Sequence, residues 1–186
     1  MRWQRSWRAD PVGAAIADRH YNRQRVGSKQ FVPPGRCVVL RTPEGDALWV
    51  TSWPFAAYVR HEWGGAWLCS TFRNESPHLS SELIREAVSA TRAVWSEVPA
   101  MGMVTFVDAA KVRAKRDPGR CYLRAGFQRV GFTKGGLVVL QLLPAAMPDA
   151  TQPLSPEASS AIEEPQEESR SDSPIGPAAR RVLETP

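Results

Sequence analysis

Apolar residues between positions 79 and 95 recur every three or four residues, the spacing of one face of an α-helix. They are Leu79, Leu83, Ile84, Ala87, Val88, Thr91, Val94 and Trp95. We therefore predict an amphipathic helix over residues 80–96. An acidic cap, Asp10, followed by Pro11 predicts an earlier helix that ends near His20. A short third helix is predicted over residues 118–125.

Short apolar runs bounded by turn residues predict strands in the rest of the chain. They lie at residues 37–40, 47–53, 66–71, 102–107, 127–132 and 137–143. Turn sequences at 43–46 and 134–136 join the first two and the last two strands as hairpins. The order α-β-β-β-α-β-α-β-β predicts an α/β fold, a mixed central sheet with helices on both faces.

Large apolar residues become scarce after Leu143. From Pro144 onward Pro, Ser, Glu and Ala dominate, and such a segment cannot bury enough surface to offset the entropy of ordering it. We predict a folded domain over residues 1–145 and a disordered Pro/Ser/Glu-rich tail over residues 146–186.

Charge divides the chain at the same place. Residues 1–146 hold 21 Lys and Arg against 11 Asp and Glu, a net of +10, and residues 147–186 hold 3 against 8, a net of −5. A basic body with an acidic tail favours a polyanionic partner, with the tail as solubiliser or internal competitor. A net charge that serves solubility alone is the equally weighted alternative.

Cysteine usage and hydropathy indicate the compartment. Cys37, Cys69 and Cys121 are odd in number and widely spaced, which argues against a disulfide scaffold or a zinc ribbon. No apolar run approaches the length of a membrane span, and no signal-peptide core is seen. We expect a soluble, cytoplasmic protein with reduced thiols and no membrane partner.

The densest candidate chemistry lies between residues 104 and 132. A strand-like run ends at Asp108, a basic loop follows, and Tyr122 lies on the predicted short helix. Strand ends are the usual location of ligand sites in open α/β sheets, so Asp108 is the candidate for accepting a hydrogen bond from an amine. Tyr122 fits a general acid or oxyanion donor. The alternatives are a turn acid for Asp108 and half-buried packing for Tyr122.

Cationic side chains in and after this loop predict a surface that binds nucleic acid. They are Lys111, Arg113, Lys115, Arg116, Arg120 and Arg124. About six phosphate contacts would make binding steeply dependent on salt. An ordinary solvated basic loop is the competing interpretation.

Residues 119–131, Gly-Arg-Cys-Tyr-Leu-Arg-Ala-Gly-Phe-Gln-Arg-Val-Gly, resemble the late motif of the GNAT N-acetyltransferase superfamily. In that motif a short helix bearing a tyrosine ends in a small-Gly-Phe turn, and the predicted order of elements resembles the GNAT fold. The superfamily's Gly-rich turn, which holds the pyrophosphate of acyl-CoA before the central helix, is missing. Residues 72–81 contain no glycine, Pro77 removes a donor, and Glu75 would repel a phosphate.

Four short segments are similar, in the same order, to Mom-like DNA-modification proteins of phages, a branch of the GNAT superfamily. They are His20-Tyr21, Arg-Asn-Glu-Ser at 73–76, Thr-Phe-Val-Asp at 105–108, and residues 119–127 around Tyr122. The resemblance spans roughly residues 20–136. It implies a GNAT-like domain that transfers a carbamoylmethyl-type group to the exocyclic amine of adenine in DNA, which shields DNA from restriction. The candidate catalytic residues are Asp108, Tyr122, Arg73, Ser76, His20 and Tyr21.

Several of these candidates have structural alternatives. Tyr21 would stack on an extruded base, and Arg73 would clamp a carboxylate or a phosphate through its planar fork. Arg73 could equally form a surface ion pair, Ser76 could be structural, and His20 could be an ordinary helix-end residue. No ligand spacing supports a metal site, so none is predicted.

Three functions remain open on the sequence. The first is a transferase that modifies a DNA base, the second an acetyl-CoA-dependent N-acetyltransferase, and the third a non-enzymatic nucleic-acid-binding phage accessory protein on a degenerate GNAT scaffold. The group donor is unknown, and acetyl-CoA stays open although its Gly-rich loop is not seen.

Overall fold

The computed structural model of the chain describes residues 1–54, 62–112 and 117–155. Its elements are β1 (Gln4–Ser6), α1 (Pro11–Asp18), β2 (Arg36–Arg41), β3 (Ala47–Trp53), β4 (Trp67–Asn74), α2 (Ser80–Val94), β5 (Met103–Val107), α3 (Arg120–Arg124), β6 (Gln128–Phe132), β7 (Val138–Leu142) and a 3-10 turn (Pro144–Ala146). The mixed α/β class is confirmed, and β1 is the element that the apolar pattern missed. No helix among the described residues is long and apolar enough to cross a membrane.

One sheet of seven strands, in the order β1-β2-β3-β4-β5-β7-β6, organises the domain. β4 and β5 run parallel, whereas the other neighbouring pairs are antiparallel. A parallel pair requires a crossover connection, and α2 supplies it. Both predicted hairpins, β2–β3 and β6–β7, are confirmed.

Helices cover both faces of this sheet, as predicted. Successive side chains of a strand point to opposite faces, so neighbouring residues of β2 and β3 enter different cores. Val39, Leu48 and Val50 pack with Ile16 of α1. Val38, Leu40 and Trp49 belong to the larger core that contains Leu83 and Val88 of α2 and Tyr122 of α3.

The parallel strands β4 and β5 pair over only three residues, ending at Cys69 opposite Thr105. β4 then continues to Asn74 alongside β3. Val50 pairs with Thr71 but Thr51 pairs with Cys69, so Ser70 is the extra residue of a β-bulge. A bulge bends and twists its strand. A gap therefore opens between β4 and β5 at their carboxyl ends.

The chain after β7 packs against the domain. Met147 is buried in the larger core, the Ser89 hydroxyl of α2 donates to the Asp149 carbonyl, and Leu154 bridges Gln4 of β1. The predicted boundary at residue 146 is therefore wrong, because residues 146–155 bury apolar surface and pair with the body. Residues 156–186 of the predicted tail lie outside the described residues.

Candidate functional site

A cavity of about 240 Å³, which we call the first cavity, lies where β4 and β5 separate. Residues 69–72 of β4 and 105–107 of β5 form its sides, residues 117–122 form another wall, and residues 20–22 close it after α1. The carboxyl ends of parallel strands are where open α/β sheets hold ligands. The gap is therefore the best-placed site for a ligand in this fold.

Gly119 sets α3 tightly against the sheet. Its φ is 79°, and a Cβ at this position would lie 2.5 Å from Leu140 Cδ1 and 3.3 Å from Val107 Cγ2. Glycine alone adopts this backbone without strain and leaves room for the contact. This close approach brings Tyr122, one turn of helix later, into the wall of the first cavity.

Tyr122 is buried, and its hydroxyl lies 3.4 Å from Cys69 Sγ. Burial raises the pKa of Tyr122 well above 10, and the neighbouring Cys69 and Cys121 thiols act in the same direction, while a hydrogen bond with Thr105 opposes them. The ring packs edge-on against Phe72. Tyr122 is therefore a fixed, protonated hydroxyl at neutral pH.

Cys69 and Thr105 form the inner end of the first cavity, and neither was a predicted site residue. The Thr105 hydroxyl donates to the Cys69 carbonyl at 3.2 Å, and burial raises the pKa of the Cys69 thiol to about 12. Both side chains are therefore uncharged at neutral pH. The signal that points to them is a run of small polar residues, Cys-Ser-Thr at 69–71, inside an otherwise apolar strand.

Tyr21 lines the first cavity and contacts Asp108, which is distant in sequence and is not itself a lining residue. Tyr21 exposes 41% of its surface. Burial of its hydroxyl end raises the pKa of the phenol, and a hydrogen bond with the Asp108 backbone acts against this. The Asp108 carboxylate accepts from the Ala110 N–H at 3.0 Å and lies 3.5 Å from Lys111 Nζ. Asp108 therefore closes a turn beside the cavity and keeps a charge at its rim.

His20 supports Tyr21 from behind. The two rings stack with centroids 4.5 Å apart, and His20 Nδ1 accepts from the Asn22 N–H at 3.1 Å. Burial, followed by the charge of Arg73, lowers the pKa of His20 to about 4, while a hydrogen bond with the Phe72 backbone opposes the shift. His20 is therefore a neutral ring at pH 7, with one nitrogen already engaged.

Arg73 and Ser76 lie away from the first cavity, in the region that we call the α2 loop, residues 73–79. Arg73 Nε lies 2.6 Å from Glu75 Oε1, which is the ion pair of the alternative interpretation. The Ser76 N–H and hydroxyl both donate to Asn74 Oδ1, at 2.9 and 2.7 Å. Neither Arg73 nor Ser76 lines the first cavity.

Backbone donors of the α2 loop already have acceptors within the chain. The Glu75 N–H donates to the Asp46 carbonyl at 2.7 Å, the Ser76 N–H to Asn74, and the His78 N–H to the Ser76 hydroxyl at 3.2 Å. Asn74 Nδ2 also donates to the His78 carbonyl at 2.8 Å. These N–H groups are not free to cradle a pyrophosphate, as a Gly-rich turn does.

The predicted nucleic-acid-binding residues are placed only in part. Lys111 is exposed beside Asp108, Arg120 lines the first cavity, and Arg124 is exposed on α3. Arg113, Lys115 and Arg116 lie outside the described residues. Of these three described cations, only Arg120 is a lining residue of the first cavity.

Over the described ranges, no group of three His, Cys, Asp or Glu side chains could hold a metal ion. Comparison with models of protein families, with curated proteins and with solved structures gave no match to this chain. Its function is therefore inferred from the geometry and chemistry of the first cavity.

Proposed function

We propose that this protein modifies DNA in the manner of the Mom-like branch of the GNAT superfamily. It transfers a group to the exocyclic amine of adenine in the cytoplasm of the host cell and so protects DNA from restriction. The observation that carries the proposal is the tyrosine-lined first cavity at the separation of β4 and β5, whose inner end at Cys69 and Tyr122 is uncharged.

The topology supports a GNAT-like assignment of the domain. A sheet with one parallel pair, joined by the long helix α2 and open beyond three paired residues, agrees with the resemblance of residues 119–131. Tyr122 of that motif reaches the gap rather than solvent. Motif and topology therefore support the same site.

The chemistry of the first cavity favours a neutral ring over a phosphate. His20, Cys69 and Tyr122 are all uncharged at neutral pH, as their shifted pKa values require. The volume of about 240 Å³ corresponds to about eight water molecules at roughly 30 Å³ each, so the cavity has room for a planar ring the size of a purine base. A base extruded from DNA fits this description.

The candidate residues divide the work of the transfer. Tyr21, exposed and backed by His20, stacks on the extruded base. The amine nitrogen bonds to the carbon of the incoming group, the bond from that carbon to the donor breaks, and Asp108 takes the proton that the amine loses. Tyr122, protonated at neutral pH, gives a proton to the leaving group.

Acetyl-CoA-dependent acetylation is the second candidate, favoured by the same GNAT-like topology. Against it stands the α2 loop, where the N–H groups of Glu75, Ser76 and His78 already have acceptors. Calorimetry of the full chain with acetyl-CoA separates the two. Tight binding would favour the acetyltransferase, and we expect none.

Nucleoside mass spectrometry tests the proposal without assuming a donor. DNA from cells that produce the full chain should contain a new adenine nucleoside and resist restriction enzymes. Cells that produce Asp108→Ala or Tyr122→Phe should yield ordinary, fully cut DNA, and Arg129→Ala, a change on the exposed strand β6, should behave as wild type.

Two outcomes contradict the proposal in different ways. Unmodified, fully cut DNA from cells with the wild-type chain would refute the proposal that the protein modifies DNA bases. Protection from restriction without a new nucleoside, unchanged by Asp108→Ala and Tyr122→Phe, indicates instead the non-enzymatic DNA-binding module.

A further inference from the structure

A second cavity of about 470 Å³ lies on the α1 side of the same gap. It is bounded by Ala17 of α1, Phe31, and the loop residues between them. It shares four residues with the first cavity, which are His20, Asn22, Ser70 and Thr71. The bulged part of β4 and the start of the loop after α1 therefore form a common wall between two adjacent spaces.

The two cavities differ in charge. The second cavity is lined by Arg23 and Arg25 together with the polar side chains of Gln24, Ser28 and Gln30, and no carboxylate is among its described lining residues. The first cavity, by contrast, is lined by a carboxylate, Asp117, as well as by Arg120, and its inner end at Cys69 and Tyr122 is uncharged.

The two arginines have different duties. Arg23 Nε lies 2.6 Å from Asp18 Oδ1, and its guanidinium also donates to the Ser28 and Gln30 carbonyls, at 2.8 and 3.2 Å. Asp18 in turn accepts from the Gly27 N–H at 2.9 Å. Arg23 is therefore occupied in holding the loop together.

Arg25 is the cation that remains available to a ligand. Its side chain is exposed, and within the described ranges it has no ion pair. The loop that Arg23 braces holds Arg25 at the second cavity. A guanidinium in this position suits the planar, bidentate recognition of a phosphate.

We propose that the second cavity binds the DNA phosphate adjacent to the base held in the first cavity, with Arg25 as its cation. The inference rests on the proposed function. A nucleotide joins a neutral ring to an anionic phosphate through a single sugar. On either side of one wall, the first cavity offers an uncharged inner end and the second cavity offers cations without a carboxylate. The common wall at Ser70 and Thr71 is where the sugar would pass.

Three fluorescent pentanucleotides test this inference on the full chain at one fixed salt concentration, since phosphate affinity varies with salt. The parent carries a central adenine. A second has a neutral methylphosphonate linkage beside that adenine, and a third is abasic at the centre. Wild-type protein should bind the parent roughly tenfold more tightly than the methylphosphonate probe, the scale of one charge-assisted contact.

Substitutions then assign the contact. In Arg25→Ala the difference between the parent and the methylphosphonate probe should vanish. In Arg25→Lys, which keeps the charge but loses the planar fork, only part of the difference should survive. Arg129→Ala removes one exposed cation from β6, outside both cavities, and should keep the full difference. Wild type and Arg25→Ala, each measured with the parent and the methylphosphonate probe, form a double-mutant cycle. The cycle isolates the interaction between Arg25 and the altered linkage.

The outcomes separate the two proposals. If the methylphosphonate probe binds as tightly as the parent, or if its deficit persists in Arg25→Ala, the phosphate site is overturned while the base cavity stands. If the abasic probe binds as tightly as the parent, the base cavity fails, and the phosphate inference that rests on it fails as well.

Discussion

The first cavity and the α2 loop both contain polar residues that were candidates for catalysis. The surroundings of these polar groups differ between the two regions. In the α2 loop Asn74, Glu75 and Ser76 bond to one another and to neighbouring residues. Tyr21 and Tyr122 also have hydrogen-bond partners, the Asp108 backbone for Tyr21 and Cys69 and Thr105 for Tyr122, but both residues line an open volume. Polar groups enclosed among their own partners stabilise a fold, whereas residues that also border a cavity can serve a ligand.

Electrostatics divides the two regions in the same way. Arg19, followed by Arg73, lowers the pKa of Glu75 to about 2 through hydrogen bonds and charge. Burial lowers the pKa of His20 to about 4 and raises the pKa of Tyr122 well above 10. The α2 loop therefore holds its charges in pairs, whereas the inner end of the first cavity is uncharged.

The largest expected effect comes from Tyr122→Phe, which removes one hydroxyl and keeps the ring. If Tyr122 protonates the leaving group, the rate of DNA modification should fall by about 10²- to 10⁴-fold, the usual contribution of a positioned acid. The measurement is the time course of the new nucleoside at equal protein concentration. A loss below threefold, with the fold intact by circular dichroism, would leave Tyr122 a packing residue.

Gly119→Ala should destabilise the wall of the first cavity. The new Cβ combines a left-handed backbone with a contact 2.5 Å from Leu140 Cδ1, so we expect a loss of about 2–4 kcal/mol of unfolding free energy in urea. Gly27→Ala is the matched control, since Gly27 has φ 77° and nothing within 4 Å. It should cost about 1–2 kcal/mol, and equal losses in both variants would contradict the packing role of Gly119.

Asn74→Ala should damage stability more than activity. The Asn74 side chain bonds to Ser76, His78 and Ser80, so its loss should lower the unfolding free energy by about 1–3 kcal/mol. The rate of DNA modification, corrected for the folded fraction, should change less than threefold. A loss of rate comparable to that of Tyr122→Phe would indicate that the α2 loop takes part in catalysis.

The smallest expected effects are changes in the unfolding free energy with pH, and His20 and Glu75 produce them in different pH ranges. The pKa of His20 is lowered from 6.5 to about 4, so the unfolded chain takes up a proton first, and stability should fall as the pH drops from 6.5 towards 4. The pKa of Glu75 is lowered from 4.5 to about 2, so its stabilisation is complete above pH 4.5 and is lost as the pH falls through 2.

Urea midpoints across this pH range distinguish the two groups. His20→Gln should flatten the slope between pH 6.5 and 4 and leave the lower window unchanged. Glu75→Gln should lower the unfolding free energy above pH 4.5, by less than about 1 kcal/mol because the ion pairs of Glu75 are near the surface. This loss should disappear as the pH falls through 2. A slope between pH 6.5 and 4 that survives His20→Gln would show that other groups produce it.

Local patterns predicted most of the helices and strands because their periodicity is visible within a short segment of the sequence. The hairpin β2–β3, the helix α2 and the cap at Asp10 all follow from short segments. β1 escaped prediction because its three residues, Gln-Arg-Ser, are polar, and its pairing with β2 joins residues 35 positions or so apart. Met147 and Leu154 gave too sparse an apolar signal to extend the predicted domain to residue 155.

The candidate site, like the fold, was predicted from the sequence only in part. Motif resemblance selected Tyr21, Asp108 and Tyr122, and tertiary structure placed Tyr21 and Tyr122 in the wall of one cavity with Asp108 beside Tyr21. Cys69 and Arg25 were identified only from the structure, which places them through the course of β4 and of the loop after α1. Local patterns can suggest a bond such as that of Ser76 with Asn74, two residues away. They do not indicate the contact of Tyr21 with Asp108, because those residues are distant in sequence.

The sequence by itself determined an α/β domain, a basic body, an acidic final segment and a tyrosine motif near residue 122. Only the tertiary structure decided that β4 and β5 separate after Cys69, that Ser70 bulges, and that two cavities share the resulting wall. The physical reason is that periodicity and turn chemistry act over a few residues, whereas strand register, burial and the charge of a cavity arise from contacts between distant segments.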